Sequence, residues 1–207
     1  MGNKRVYCGS FISQVAMHIF KLTLLVLIPI SSFSQIKLTD GDLDFLKDEK
    51  SVRIKFTYKN VLVDGLSERD YIIQKMQEHN IKSSAELWKD RWYADRTSRF
   101  EPRFKKFFTK KSSLAVDDNA KYTIIVETLN INLGYNVAIS SSPANIDAYV
   151  AIIETSDPSS TMAQFTLTNM EGRESLGSGY DTGFRLQEAY GRAGAELGRL
   201  MKKEIKK

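Results

Sequence analysis

The run Tyr122-Thr-Ile-Ile-Val-Glu-Thr-Leu129 constrains this chain more than any other stretch. It is rich in β-branched residues and apolar on both faces, which suits a strand covered from two sides or flanked by neighbours. It predicts a central strand beginning at Lys121, and the rest of the chain must supply its partners.

Three segments can do so. Val52, Ile54, Phe56 and Tyr58 alternate with Arg53, Lys55, Thr57 and Lys59, the period of a half-buried strand. Val61 to Val63 continue it before Asp64-Gly65 turns the chain. Asn145 to Thr155 places Ile146, Ala148, Val150 and Ile152 on one face. Ala163, Phe165 and Leu167 alternate after the turn residues Asp157-Pro158-Ser159-Ser160, so the last two strands read as a hairpin. Gly134 to Pro143 is expected as a long connection. Residues 35–50, with Asp40, Asp42, Asp44, Asp48 and Glu49, read as a polar leader.

Helices fill the remainder. Ser67 with Asp70 three residues on marks a helix start running to about Glu78, with Asn80 as its stop. Ser83 or Ser84 is expected to cap a second helix through Leu87, Trp88 and Trp92. Pro102 suits the first turn of a new, third helix carrying Phe104, Phe107 and Phe108. A final helix from about Thr182 to Lys203 has the stripe Leu186, Ala189/Tyr190, Ala193, Leu197 and Leu200/Met201. Gly191, Gly194 and Gly198 weaken it and imply close backbone approach to the sheet. The order predicts an α+β two-layer sandwich: a small mixed four-stranded sheet, helices on one face, one domain over 51–207.

The N-terminus carries an export pattern. Lys4, Arg5 and Lys21 provide positive charge, Leu22 to Ile30 is apolar, and Ser32-Phe33-Ser34 is small-x-small, placing cleavage before Gln35. The apolar run is too short to span a bilayer. Met17 is a second candidate start. Cys8 is the only cysteine and lies in the segment to be removed, so no disulfide, thiolate nucleophile or thiolate metal site is expected. Removing the three basic residues takes the net charge from +5 to near +2, which gives no electrostatic case for nucleic acid.

From Ala120 to Leu200 the layout resembles secreted proteins of the Bacteroidota of uncharacterised function. The similarity lies in Ala120-Lys-Tyr-Thr-Ile-Ile-Val, Gly134-Tyr-Asn-Val, Ile153-Glu-Thr and Asp181-Thr-Gly-Phe-Arg-Leu-Gln-Glu-Ala-Tyr. It extends to Trp88-Lys-Asp-Arg-Trp and Phe100-Glu-Pro-Arg-Phe. The topology is also similar to the sheet-and-helix domain of the curli-secretion lipoprotein and to the amino-terminal domain of the Tol–Pal translocation protein. These resemblances imply periplasmic or outer-membrane-associated binding and assembly roles. The chain lacks the lipid-bearing cysteine and the membrane strands of the curli protein, which argues against a pore.

Catalytic chemistry is thinly supplied. His79 stands alone, at a helix end, without a Gly-x-Ser-x-Gly motif. Asp147, Glu154 and Asp181 are the carboxylates considered for a paired-acid hydrolase. The glycine-rich loop with Gly177, Gly179 and Asp181 precedes a helix N-terminus and is considered for ligand binding, although Asp181 itself caps that end. No cofactor or metal is expected. The most unusual segment is Trp88 to Lys111, seven aromatics interleaved with nine basic residues. One reading is a basic-aromatic surface, with Arg99, Arg103 and Lys106 binding acidic glycans, lipid headgroups or a protein. The other is an amphipathic pair with aromatics inside and bases in water. Together these features lead us to expect an exported, non-enzymatic envelope binding or assembly module. An envelope protein or surface polymer is its expected partner, and nucleic acid is not. A homo-oligomeric subunit and a carboxylate hydrolase are the alternatives.

Overall fold

The computed structural model describes residues 35–137, 140–172 and 181–207. The export pattern of residues 1–34 and two loop candidates, Gly177 and Gly179, lie outside them. The central strand is where the sequence placed it. Strand β6 (Tyr122–Asn132) lies inside the sheet, flanked by β2 (Ser51–Thr57) in parallel and β9 (Asn145–Glu154) antiparallel. The β9–β10 hairpin (β10, Thr161–Glu171) turns where Asp157 accepts from the Ser159 amide at 3.2 Å.

The sheet is larger than the four strands expected. Its order is β1-β10-β9-β6-β2-β5, with the short β3 (Leu62–Val63) alongside β6 and β4 (Leu66–Ser67) alongside β3. The segment read as a polar leader contains β1 (Ile36–Gly41), paired to β10, and a 3-10 turn (Asp44–Leu46). Its acidic residues masked three anchors: Ile36, Leu43 and Leu46 are buried. At the other edge, β5 (Ala115–Val116) pairs with β2. The expected connection after Gly134 contains a small hairpin of β7 (Tyr135–Val137) and β8 (Ser140–Ser142).

Register puts apolar rows on one face. Ile54, Ile124, Ile152 and Ala163 run across it, as do Phe56, Val126, Val150 and Phe165. Helices cover that face; Lys55, Ile125, Ala151 and Gln164 lie on the other, exposed or half-buried.

Helix α1 (Glu68–Gln77) starts as expected, with the Ser67 hydroxyl accepting from the Asp70 amide at 3.1 Å. Helix α2 (Lys82–Asp95) starts earlier than expected, so its N-cap is Ile81, which has no capping side chain. Ser83 and Ser84 fall inside the helix, and the Ser84 hydroxyl meets His79 Nδ1 at 3.0 Å. Pro102 lies in the first turn of the third helix, as expected. A π turn (Arg96–Phe100) joins α2 to this helix, α3 (Glu101–Ser112), and a proline in the first turn forfeits no intrahelical hydrogen bond. The chain closes with α4 (Thr182–Ile205), whose buried residues include the expected stripe. Its glycines approach α3 rather than the sheet. A Cβ on Gly194 would lie 2.3 Å from the Phe104 carbonyl oxygen, and one on Gly198 would lie 2.8 Å from that of Phe108.

Candidate functional site

The α1–α2 pair gathers aromatic rings. Tyr71 of α1 lies 6.0 Å from Trp88 and 5.1 Å from Trp92, and the two indoles of α2 stack at 5.9 Å. Their four-residue separation sets them on one helical face. Trp92 is buried and donates its indole N–H to Glu68 Oε1 at 2.7 Å, whereas Trp88 is half-buried. The π turn then directs Arg96 and Arg99 differently. Arg96 pairs with Glu68 and lies 4.2 Å from the Tyr58 ring centre. Arg99 reaches across to the start of α4.

There a polar wall forms. Arg99 Nε is 3.0 Å from Asp95 Oδ1, and its Nη1 is 2.8 Å from Asp181 Oδ2. Asp181 also caps α4, accepting from the Phe184 amide at 3.2 Å. Gly183 sits beneath this trio. A Cβ there would lie 2.3 Å from Asp95 Oδ2 and 3.2 Å from Asp181 Oδ1, so only glycine lets the carboxylates close in. Between the aromatic and polar walls is a cleft of 730 Å³, lined by Tyr71, Trp88, Trp92, Asp95, Arg99 and Asp181 among others. That volume lies in the range of about 300–1,000 Å³ usual for ligand sites.

The two carboxyls titrate in opposite directions. Burial raises Asp95 above the ordinary carboxylate value, with Arg99 acting against it and Asp181 reinforcing it. Burial also pushes Asp181 up, but the Arg99 hydrogen bond and the Phe184 and Gly183 amides outweigh it, leaving a net depression. Asp181 therefore adds stability at neutral pH that is lost as pH falls through its depressed value. Asp95 does the reverse, its contribution lost as pH rises through its elevated value. Carboxyl NMR titration should place Asp95 above 3.8 and Asp181 below it. Arg99→Gln should raise both midpoints, and unchanged midpoints would disprove the coupling.

The basic-aromatic segment does not form one surface. Arg99 joins the cleft, while Arg103 pairs with Glu188 of α4, donating from Nη2 at 3.1 Å, and Lys106 is exposed. Phe104 and Phe108 are core, as the amphipathic reading has it. The three hydrolase carboxylates are not brought together either. Asp147 and Glu154 stand seven residues apart on β9, about 23 Å at 3.3 Å per residue. Asp147 is occupied by the Asn169 amide at 2.7 Å. Asp95, Tyr71 and Gly183 were absent from the sequence candidates. The i,i+4 spacing of Asp95 and Arg99 was the available signal.

No family model and no curated protein matches the chain, so neither comparison supports the resemblance to Bacteroidota proteins, the curli-secretion lipoprotein or the Tol–Pal protein. Among solved structures, a point variant of PelC from Paraburkholderia phytofirmans, a dodecamer, is similar over 78% of this chain and 95% of its own. The identity is 9% and the TM-score 0.33, a likeness too slight to bear on function. No helix among the described residues is long and apolar enough to cross a membrane.

Proposed function

We propose that the protein is an exported, non-enzymatic envelope module that binds sugar units of a surface polymer in the Trp88–Asp181 cleft. The observation that carries this reading is the pairing of a stacked aromatic wall with a carboxylate–guanidinium wall across one cavity. A sugar ring offers a C–H face to an indole and hydroxyls to carboxylates and arginine, and such mixed lining suits a binding pocket. The charge, apolar run and small-x-small end of residues 1–34 support export. Oligosaccharide binding measured by calorimetry should weaken at least tenfold in Trp88→Ala, with the circular dichroism spectrum unchanged. Binding unaffected by Trp88→Ala would remove the cleft from the account.

One observation favours a hydrolase as the second reading. Asp95 Oδ2 and Asp181 Oδ1 lie no farther apart than the sum of their distances to the Gly183 Cβ position. That upper bound does not exceed the spacing of about 5–5.5 Å found between the carboxyls of retaining glycosidases, and their environments push the two apart in acidity. Arg99, bonded to both, argues for binding, because it offsets part of their charge and occupies one oxygen of each. Release of reducing ends, abolished by Asp95→Asn, would establish the hydrolase instead.

A further inference from the structure

One turn beyond Arg99, a second concavity of 410 Å³ opens on the α3–α4 seam. Arg103, Lys110 and Lys111 enter it from α3, and Arg192 and Arg199 from α4, against the single lining carboxylate Glu188. Gly191 and Ala195 give it depth, since neither brings a side chain of any bulk.

The cations are undercompensated. Arg103 uses Glu188. Arg192 and Arg199 share one carboxylate, Glu196, with Arg192 Nε 3.0 Å from it. Lys110 and Lys111 make no ion pair among the described residues, whereas Lys75, Lys89 and Lys207 each take a glutamate three residues away. Like charges facing one another across a groove repel, and a bound anion relieves that repulsion.

The shape and surroundings narrow the ligand. Glu188 to Arg199 extends about 16 Å at 1.5 Å per residue, longer than one anionic group. A bilayer fits poorly: no large exposed hydrophobic among the described residues lies on α3 or α4, and surface helices need an apolar face to insert. Nucleic acid fits poorly too, because the only lining aromatic, Phe107, has Arg103 4.6 Å from its ring centre, where a base would stack. We propose that this groove binds an acidic polysaccharide. The anionic half of the proposal stands on the groove alone; the saccharide half rests on the reading of the neighbouring cleft.

The test measures polygalacturonate binding to the full domain, its Lys110→Gln/Lys111→Gln/Arg199→Gln variant and Trp88→Ala. The expected result is at least a tenfold loss in the triple variant, with the salt dependence of binding flattened. Wild-type affinity in a folded triple variant would overturn the groove. Tighter binding of polyglutamate, duplex DNA or anionic vesicles than of polygalacturonate would overturn the saccharide assignment. If a neutral oligosaccharide fails to bind while polygalacturonate binding remains sensitive to the triple change, the cleft reading falls and the groove stands.

Discussion

Gly194→Ala should lower the melting temperature by about 4–8 °C, the equivalent of roughly 2 kcal/mol for a domain of this size. Alanine in a helix interior gains up to about 1 kcal/mol over glycine. Against that stands a Cβ placed 2.3 Å from the Phe104 carbonyl oxygen, an atom of the facing helix backbone that cannot rotate aside. Helices α3 and α4 must part, and overpacking of this kind costs roughly 1–3 kcal/mol before the loss of neighbouring contacts. Phe104, Phe108 and Tyr190, all fully buried, would loosen with them. The ranking is as informative as the size. Gly198→Ala, 2.8 Å from a carbonyl, should cost less, and Gly191→Ala, 3.1 Å from the movable Arg103 Cγ, should be nearly neutral. Thermal denaturation of the three variants checks the order. A Gly194→Ala protein as stable as the parent would mean that the helices do not meet at that point.

Arg96→Met should be the most damaging change among the charged residues, costing about 2–4 kcal/mol in urea unfolding. Its side chain is 20% exposed and that of its partner Glu68 is 15% exposed. Removing the guanidinium strands the Glu68 carboxylate with only the Trp92 indole donor, at 2.7 Å. Breaking one side of a buried pair typically costs about 3–5 kcal/mol, and partial solvent access reduces it here. The damage would spread, because Arg96 also covers Tyr58, whose hydroxyl burial holds far above its ordinary acidity range, with Tyr190 and Glu101 adding to the effect. Glu68→Gln added to Arg96→Met should recover part of the loss, giving a coupling of about 1 kcal/mol or more in a double-mutant cycle. Strictly additive single and double variants would show that the pair contributes nothing as a pair.

These two sites show where sequence reading reached and where it stopped. Period-two runs placed β2, β9 and β10, because alternating side chains report a covered face directly, and a β-branched run apolar on both faces placed β6. The 3.6-residue stripe of α4 and the Ser67 cap were equally local, and both are present. Strand β1 was missed because its stability comes from pairing with β10, more than a hundred residues away, not from its own polar sequence. The glycines of α4 announced a close approach, but their partner was α3, a choice made by packing.

The candidate site divides the same way. Trp88, Trp92 and the Asp95–Arg99 pair are helix-spacing facts, legible in the chain. Their meeting with Asp181, 82 residues from Arg99, belongs to the tertiary structure. So does the separation of Arg99, Arg103 and Lys106, which look like one basic patch in sequence. A side chain's direction follows from local periodicity, while its neighbour depends on how distant elements pack. By itself, then, the sequence determined the main strands and helices, the α+β class and their apolar faces. Only the folded chain decided which carboxylates meet which arginines, and so where a ligand could sit.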